Sequence, residues 1–301
     1  MNQSLTNLPL PGLAHLSDFG CIEIKGPDSV RFLQGQITTN AENISTIFLS
    51  LSAMCNPQGR CVALFFIGKI DDSVILILSR ETIEQALANI KKYAVFFKIE
   101  INDISDQKQV FGLAAEATSE AVKIPSSVGH EFRIEQLNQP ENQIFSFYLV
   151  SEKYQSDFDA AVVNFRKCKQ GDWLYWLNKN RIPWLDINSQ NEFLPHNLNL
   201  PELGAVDFNK GCFTGQEVIA RMQYKGSLKS HMQLLQTQEP VTVISKSKLW
   251  LGDKTVGEVI CAAANDENVS ILALIKDNYL ENKIFRLNNE NGPILELISK
   301  I

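Results

Sequence analysis

Residues 47 to 104 constrain the fold more than any other part of the sequence. Two strand-length apolar stretches, IFLSLSAM and CVALFFIGKI, are joined by the turn CNPQGR, and a second turn at Asp71-Asp72 leads to the strand pattern SVILILS. Apolar residues then recur at helical spacing from 80 to 96, before the short strand pattern KIEIND. Strands that pair locally around one helix predict an α+β unit of the ferredoxin-like kind.

The rest of the chain predicts further strands, two helices and a separate β domain. Strands are expected near 110–115, 131–135 and 144–151, and helices at 154–168 and 172–180. Beyond Gly226, strand patterns follow about ten residues apart: HMQLLQT, VTVIS, KLWLGDKTVGEVICAA, VSILALI, KIFRLN and ILELIS. This spacing predicts a small closed or sandwiched β domain at the C-terminal end.

Composition is that of an ordinary globular protein. The 301 residues are 45% hydrophobic and carry a net charge of -6, which excludes nucleic-acid binding through a broad basic surface. Any contact with RNA is expected to be local or indirect. The apolar runs have strand length, so no membrane span is predicted. The first residues lack a secretory pattern, and a cytoplasmic location is expected.

The cysteines and histidines are dispersed through the sequence. The six cysteines form no CxxC pair, and the four histidines form no HxxxH or HExxH pair. A disulfide framework and a self-contained metal site are therefore not expected.

The stretch KGCFTGQEVIARMQYKG, residues 210 to 226, concentrates the candidate chemistry. Thr214 and Glu217 have the T-x-x-E spacing of a capping box, which predicts a helix that begins after Thr214 and can end at Gly226. Cys212 then lies two residues before the N-cap. Free N–H groups and the helix dipole favour a thiolate there, and Lys210 adds positive charge.

Each candidate also has a simpler explanation. Cys212 is a reactive thiol, a ligand for metal or sulfur, or a small residue that packs in the interior, as cysteines often do. Gln216 and Glu217 are candidates for hydrogen bonds to a substrate, although capping would occupy Glu217. Trp173 lies in a tryptophan-rich helix, DWLYWLNKN, where an indole suits stacking on a flat heterocycle or simply forms an aromatic core.

Several motifs together resemble the bacterial YgfZ family. Its hallmark K-G-C-[YF]-x-G-Q-E corresponds to Lys210–Glu217, preceded by NLNLPELGAVDFN. GPDSVRFLQGQITTN, NPQGR, KKYAVFFKIEI and WLDI match in the same order along the chain. The resemblance covers most of the sequence.

This resemblance implies a three-domain cloverleaf around a central channel, as in the folate-dependent aminomethyltransferase of glycine cleavage. The overall expectation is an α+β fold with a ferredoxin-like part and a C-terminal β-barrel. The expected domains are 1–46 with 108–170, 47–107 with part of 171–226, and 227–301.

The resemblance also implies site residues and a cofactor. Cys212 corresponds to the family's essential cysteine, and tetrahydrofolate is the expected ligand. Its aromatic contacts correspond to Phe19, where the family usually has tryptophan, and to Trp173. Two departures lie nearby in sequence: Arg181 within NRIP, where the family tends to have AG, and His196, where glutamine is usual.

The implied role is a folate-binding accessory protein in iron-sulfur cluster assembly or repair, which thereby supports tRNA modification. Its expected partners are iron-sulfur proteins or assembly factors, and direct tRNA binding is expected to be weak or absent. Two alternatives stay open: a folate-dependent aminomethyl transferase, if the protein is an enzyme, and a non-catalytic interaction scaffold. The stretch VILILSRET offers no matching acidic motif for a transferase.

Overall fold

Ten strands form one mixed sheet, and six later strands close into a barrel. The computed structural model describes residues 12–116, 124–134 and 143–298. The sheet strands are β1 (Gly12–His15), β2 (Phe19–Lys25), β3 (Phe48–Cys55), β4 (Cys61–Ile70), β5 (Ser73–Ser79), β6 (Glu100–Asp103), β7 (Lys108–Glu116), β8 (His130–Ile134), β9 (Gln143–Ser151) and β10 (Arg166–Cys168). The barrel strands are β11 (Ser230–Thr237), β12 (Lys248–Leu251), β13 (Lys254–Ala264), β14 (Val269–Lys276), β15 (Ile284–Leu287) and β16 (Ile294–Ile298). The α-helices are α1 (Ser29–Gln34), α2 (Ile83–Ala94), α3 (Gln155–Ala161), α4 (Gln170–Lys179) and α5 (Gln216–Lys225).

The large sheet consists of two halves that meet in β3. Its strand order is β10-β1-β7-β9-β8-β3-β4-β5-β2-β6. Phe48 and Leu49 pair in parallel with β8, whereas the following residues of β3 pair antiparallel with β4. A single strand therefore joins a half formed mainly by β7, β8 and β9 to a half formed by β4, β5 and β2.

The second half contains the α+β unit that was predicted from the sequence of residues 47 to 104, together with β2. The turn between β3 and β4 is closed by a hydrogen bond from Gly59 N to Asn56 O, 2.8 Å long. Helix α2 buries Ile83, Ala86 and Ile90 in one core with β2, β4 and β5. The predicted strands and the predicted helix are confirmed: β3, β4 and β5 pair as hairpins between neighbours in sequence, whereas β6 pairs with the distant β2.

Two predictions from periodicity were wrong. Residues 154–168 were expected to be one helix, but α3 ends at Ala161, and Arg166–Cys168 form a strand parallel to β1. The segment VTVIS at 241–245 forms no strand. Its Ser245 hydroxyl instead donates to the Asp186 carboxylate, at 2.6 and 2.8 Å. In both places, contacts with distant segments outweigh the local pattern.

The barrel is closed, and α4 packs against it. Strand order around the barrel is β11-β14-β13-β12-β15-β16. The side-chain amide of Asn178 on α4 donates to Ser270 O at 3.0 Å, in a buried contact with β14. Within the described ranges, no helix is long and apolar enough to cross a membrane.

Helix α5 begins differently from the predicted capping box. Its first residue is Gln216, and the N-cap is Gly215 with φ +84°, without a side-chain cap. The Thr214 hydroxyl lies 3.5 Å from Gly35 O, and Glu217 is exposed at the second helical position. The capping prediction was wrong, because Thr214 is drawn to another segment and a left-handed glycine occupies the cap.

Gly215 takes this conformation where α5 packs on the turn between β3 and β4. A Cβ at Gly215 would stand 2.6 Å from Asn56 O and 2.9 Å from Gly59 Cα. Gly59 has φ +75°, and a Cβ there would stand 3.0 Å from Val218 Cβ. Two glycines therefore let NPQGR and the start of α5 approach each other at backbone distance.

We expect Gly215→Ala to lower the free energy of unfolding by about 2 kcal/mol, since it adds left-handed strain and a steric clash. Gly211→Ala is the matched control, because a Cβ at Gly211 would meet nothing within 4 Å. Urea denaturation of both variants measures the difference. Equal losses in the two variants would contradict a specific contact at Gly215.

Candidate functional site

The residues before and within the motif are hydrogen-bonded to the chain that follows α1. Thr214 N donates to Gly35 O at 3.1 Å, and Asp207 N donates to Thr38 O at 2.9 Å. The buried Thr38 hydroxyl donates in turn to Ala205 O at 2.6 Å. These bonds fix the segment from 205 to 214 on the fold, although it contains no regular helix or strand.

Lys210 adds a buried charged group to these contacts. Its Nζ donates to Ile37 O and to Thr39 O, both at 2.7 Å, and the residue is only 8% exposed. Burial lowers the pKa of the amine to about 8, against the opposing effect of the Asp207 carboxylate. Nζ also lies 5.1 Å from the ring centroid of Phe213. The hydrogen bonds of this amine therefore join the motif to main-chain carbonyls in the interior.

Cys212 projects outward between two buried residues. Lys210 and Phe213 are both buried, whereas Cys212 and Gly211 are exposed. Of the six cysteines in the sequence, four are buried and Cys168 is partly exposed, so Cys212 is the one exposed thiol. The interpretation of Cys212 as a packing residue is wrong. The motif presents its thiol to solvent on a segment held from both sides.

Gln216 and Glu217 form the first helical turn of α5 behind the thiol. Gln216 N donates to the main-chain carbonyl of Phe213 at 3.1 Å, which connects the start of the helix to the backbone next to Cys212. The Glu217 side chain is exposed, so it is available to a ligand or partner.

Phe19 and Trp173 belong to one aromatic core. They are 4% and 1% exposed, and Phe147 lies between them, with its ring centroid 6.2 Å from Phe19 and 5.6 Å from Trp173. Trp176 packs 5.2 Å from Trp173. The predicted folate contacts thus lie close together, but both rings are packed among other aromatic side chains.

The indole of Trp173 offers an edge rather than a free face. A Cβ at Gly112 would stand 2.4 Å from Trp173 Cδ2, so one ring face lies directly on the Gly112 backbone. Its Nε1 is buried and has no hydrogen-bond partner among the described residues. An unsatisfied buried donor is costly, so an acceptor on a bound heterocycle would stabilise it. The residues fit folate through this N–H group, and stacking on the ring face is blocked in this conformation.

A cleft of about 460 Å³ lies between the chain after α1 and the loop before the motif. Its lining is mostly polar and consists of Thr39, Asn40, Asn43, Ile44, Ser50, Ile67, Gly204, Val206, Asp207, Phe208 and Asn209. Its volume is in the range of cofactor pockets. Sequence reasoning missed this cleft, for which the only signal was the non-periodic, asparagine-rich stretch that leads into the motif.

The segment that carries the thiol and the aromatic pair pack in different cores. Phe213, beside Cys212, packs in the core that includes the barrel face, whereas Phe19 and Trp173 pack in the core of the β7–β9 half. Trp184 packs against both cores and connects them.

The two family departures make contacts elsewhere. Arg181 has φ +59°, and its Nη2 donates to Ile298 O in the barrel at 3.1 Å. His196 is buried, and its Nε2 lies 3.1 Å from Gln223 Oε1 on α5. Burial lowers the pKa of both groups. These bonds connect the barrel and α5 to their neighbours, and none involves Trp173.

No group of three histidine, cysteine or acidic side chains in the described part of the chain is placed to hold a metal ion. A cluster bound at Cys212 would therefore need ligands from a partner.

We expect the stability contributed by Lys210 to rise with pH. The unfolded amine titrates near its ordinary value of 10.5, so from about pH 8 to 10.5 the native state binds fewer protons than the unfolded state. Urea denaturation at pH 7.5 and 9.5 should show the stability of wild type relative to Lys210→Met increasing by roughly 1–2 kcal/mol. The exposed Lys254→Met serves as the control. If the difference in stability between wild type and Lys210→Met stayed constant between the two pH values, the lowered pKa of the buried amine would be contradicted.

Comparison with known proteins identifies a domain family and two proteins that this chain resembles. A model of the GCVT N-terminal domain matches residues 11–123. The chain is 28% identical to the tRNA-modifying protein YgfZ of Photorhabdus laumondii, over 98% of this chain and 93% of that protein. It is also 28% identical to the protein of the same name from Hamiltonella defensa, over 93% of this chain and 88% of that protein.

The fold has a close counterpart among solved structures. The glycine cleavage system aminomethyltransferase T from Bartonella henselae superimposes with a TM-score of 0.72, over 98% of this chain and 86% of that chain, at 14% identity. The α+β prediction with a C-terminal barrel is confirmed. The chain is therefore similar to the YgfZ proteins over nearly its whole length, and it has the fold of the glycine cleavage aminomethyltransferase.

Proposed function

We propose that this protein is a cytoplasmic, folate-binding accessory factor that supports iron-sulfur cluster assembly or repair and thereby tRNA modification. The observation that carries the proposal is the exposed thiol of Cys212 on a segment anchored by Lys210 and Phe213. The relatives named tRNA-modifying protein support the RNA-related outcome. The aminomethyltransferase fold supports a folate-related ligand.

The geometry suits a thiol that acts on a macromolecular partner. A cysteine that must reach a cluster, a persulfide or a partner thiol has to be exposed and held in position. Lys210 binds two carbonyls on one side of Cys212, and Phe213 is buried on the other. This fixes the backbone without covering Sγ. A single exposed thiol is suited to transient ligation, with the remaining ligands supplied by the iron-sulfur protein or assembly factor.

Folate would be held at the aromatic core rather than at the thiol. Trp173 Nε1 is a buried donor that lacks a partner within the described ranges, and it would donate to a heteroatom of the pterin ring. Phe19, on the other side of Phe147, would provide apolar contact. Folate bound there would supply a site for one-carbon chemistry or would stabilise the fold.

We expect Cys212→Ser to abolish support of iron-sulfur enzyme activity while the fold and folate affinity stay unchanged, because the exposed Sγ packs against nothing in the core. The measurement is the activity of a tRNA-thiolating iron-sulfur enzyme in cells that lack the native protein and express the variant.

Cys168→Ser is the matched control, since Cys168 is the other thiol that is not fully buried. It should retain activity near that of wild type. Full activity of Cys212→Ser would eliminate the functional-thiol proposal, whatever the folate affinity.

We expect Trp173→Phe to weaken tetrahydrofolate binding about 3- to 10-fold, the range for loss of one hydrogen bond. Trp250→Phe is the control, because Trp250 Nε1 in the barrel is also buried without a partner among the described residues. Calorimetric titration under reducing conditions measures both affinities. Unchanged affinity of Trp173→Phe would exclude the indole as donor, and no binding by wild type would remove folate from the proposal.

A further inference from the structure

An exposed apolar segment follows the C-terminal end of α2. Phe96 is 93% exposed and Val95 is 78% exposed, and Tyr93 before them is also exposed. Isolated exposed apolar residues are common on soluble proteins. Val95 and Phe96 are consecutive and mostly exposed, and the partly exposed ring of Tyr93 adds a third apolar side chain at the surface within four residues.

The same segment is positively charged in an acidic protein. Residues 91 to 98, with the sequence KKYAVFFK, contain three lysines and no acidic residue, whereas the whole chain has a net charge of -6. Lys91, Lys92 and Lys98 are all exposed. The Arg31 guanidinium adds to them, 5.7 Å from the ring centroid of Phe97. We refer to residues 91–98 as the 91–98 surface.

Helix electrostatics explain only part of this arrangement. Lys91 and Lys92 lie in the last turn of α2, where cations stabilise the negative end of the helix dipole. The Asp28 carboxylate accepts a hydrogen bond from Lys98 N at 2.9 Å and lies 4.0 Å from the Arg31 guanidinium. None of these contacts covers the ring of Phe96. Its exposure therefore calls for an external partner.

We propose that the 91–98 surface binds single-stranded RNA, with a base stacked on Phe96 and phosphates bound by Lys91, Lys92 and Lys98. Exposed aromatic rings flanked by cations are the usual features of surfaces that bind single strands. Protein interfaces are also rich in aromatic residues, but they are depleted in lysine, which favours RNA over an acidic protein. The choice of RNA over DNA rests on the proposed function.

Local binding of RNA at the 91–98 surface is compatible with the negative net charge of the whole chain. A net charge of -6 opposes a broad RNA interface, but it permits a local one where the field of the lysines dominates within about a Debye length. Binding is expected to be weak and strongly salt-dependent. Three neutralised phosphates correspond to a slope of about -2 in a plot of log affinity against log salt.

The test is fluorescence anisotropy of a labelled ten-residue oligouridylate with the full chain at low salt. Phe96→Ala should weaken binding about tenfold, the loss expected for one stacked base, while Phe96→Trp should restore it. Lys92→Ala should make the salt slope shallower by about 0.7. Val163→Ala is the matched control, since Val163 is an exposed apolar residue in another segment.

A further variant distinguishes failure of the RNA-binding proposal from failure of the proposed function. Cys212→Ser should bind the oligomer as wild type does, because the thiol plays no part in stacking. Equal binding by wild type and Phe96→Ala would overturn the RNA site. Tighter binding of an oligodeoxythymidylate, or of vesicles containing anionic phospholipid, with the same dependence on Phe96 would overturn its assignment to RNA.

Discussion

The contact of the Lys210 amine with Ile37 O and Thr39 O is the interaction on which the display of the candidate thiol depends. Burial of the ammonium group is unfavourable because the cation loses its hydration. The lowered pKa of the amine reflects this desolvation. The neutral amine still has two N–H donors for the two carbonyls. The contact fixes the backbone next to Cys212 in either protonation state.

Other residues of the motif also fix the backbone around Cys212. Phe213 is buried as a second anchor, and Gly215 permits α5 to approach the turn that contains Gly59. Gly211 is free of steric contact, and Cys212 alone combines exposure with chemical reactivity. Most residues of the motif therefore fix the backbone that carries one exposed side chain, that of Cys212. Packing explains Gly215 and Phe213, whereas the exposed Cys212 has no packing role in the core.

Local patterns predicted the parts of the fold that depend on local contacts. The strands and helix between residues 47 and 104 were predicted correctly because the β3–β4 and β4–β5 hairpins pair neighbours in sequence and because α2 carries its buried residues at helical spacing. The capping box at Thr214 and the strand at 241–245 were wrong. There, hydrogen bonds to Gly35 and Asp186, more than fifty residues away, replaced the local alternatives. The thiol's neighbourhood is built from such distant contacts.

The sequence by itself determined the fold class, the barrel at the C-terminal end and the choice of Cys212, because hydrophobic periodicity and a specific motif are local properties of the chain. Only the tertiary structure decided that Lys210 binds carbonyls, that the Trp173 N–H group is buried without a partner among the described residues, and that Phe96 remains exposed. Burial and hydrogen bonding of a side chain depend on segments brought together from across the sequence. Spacing along the chain does not contain that information.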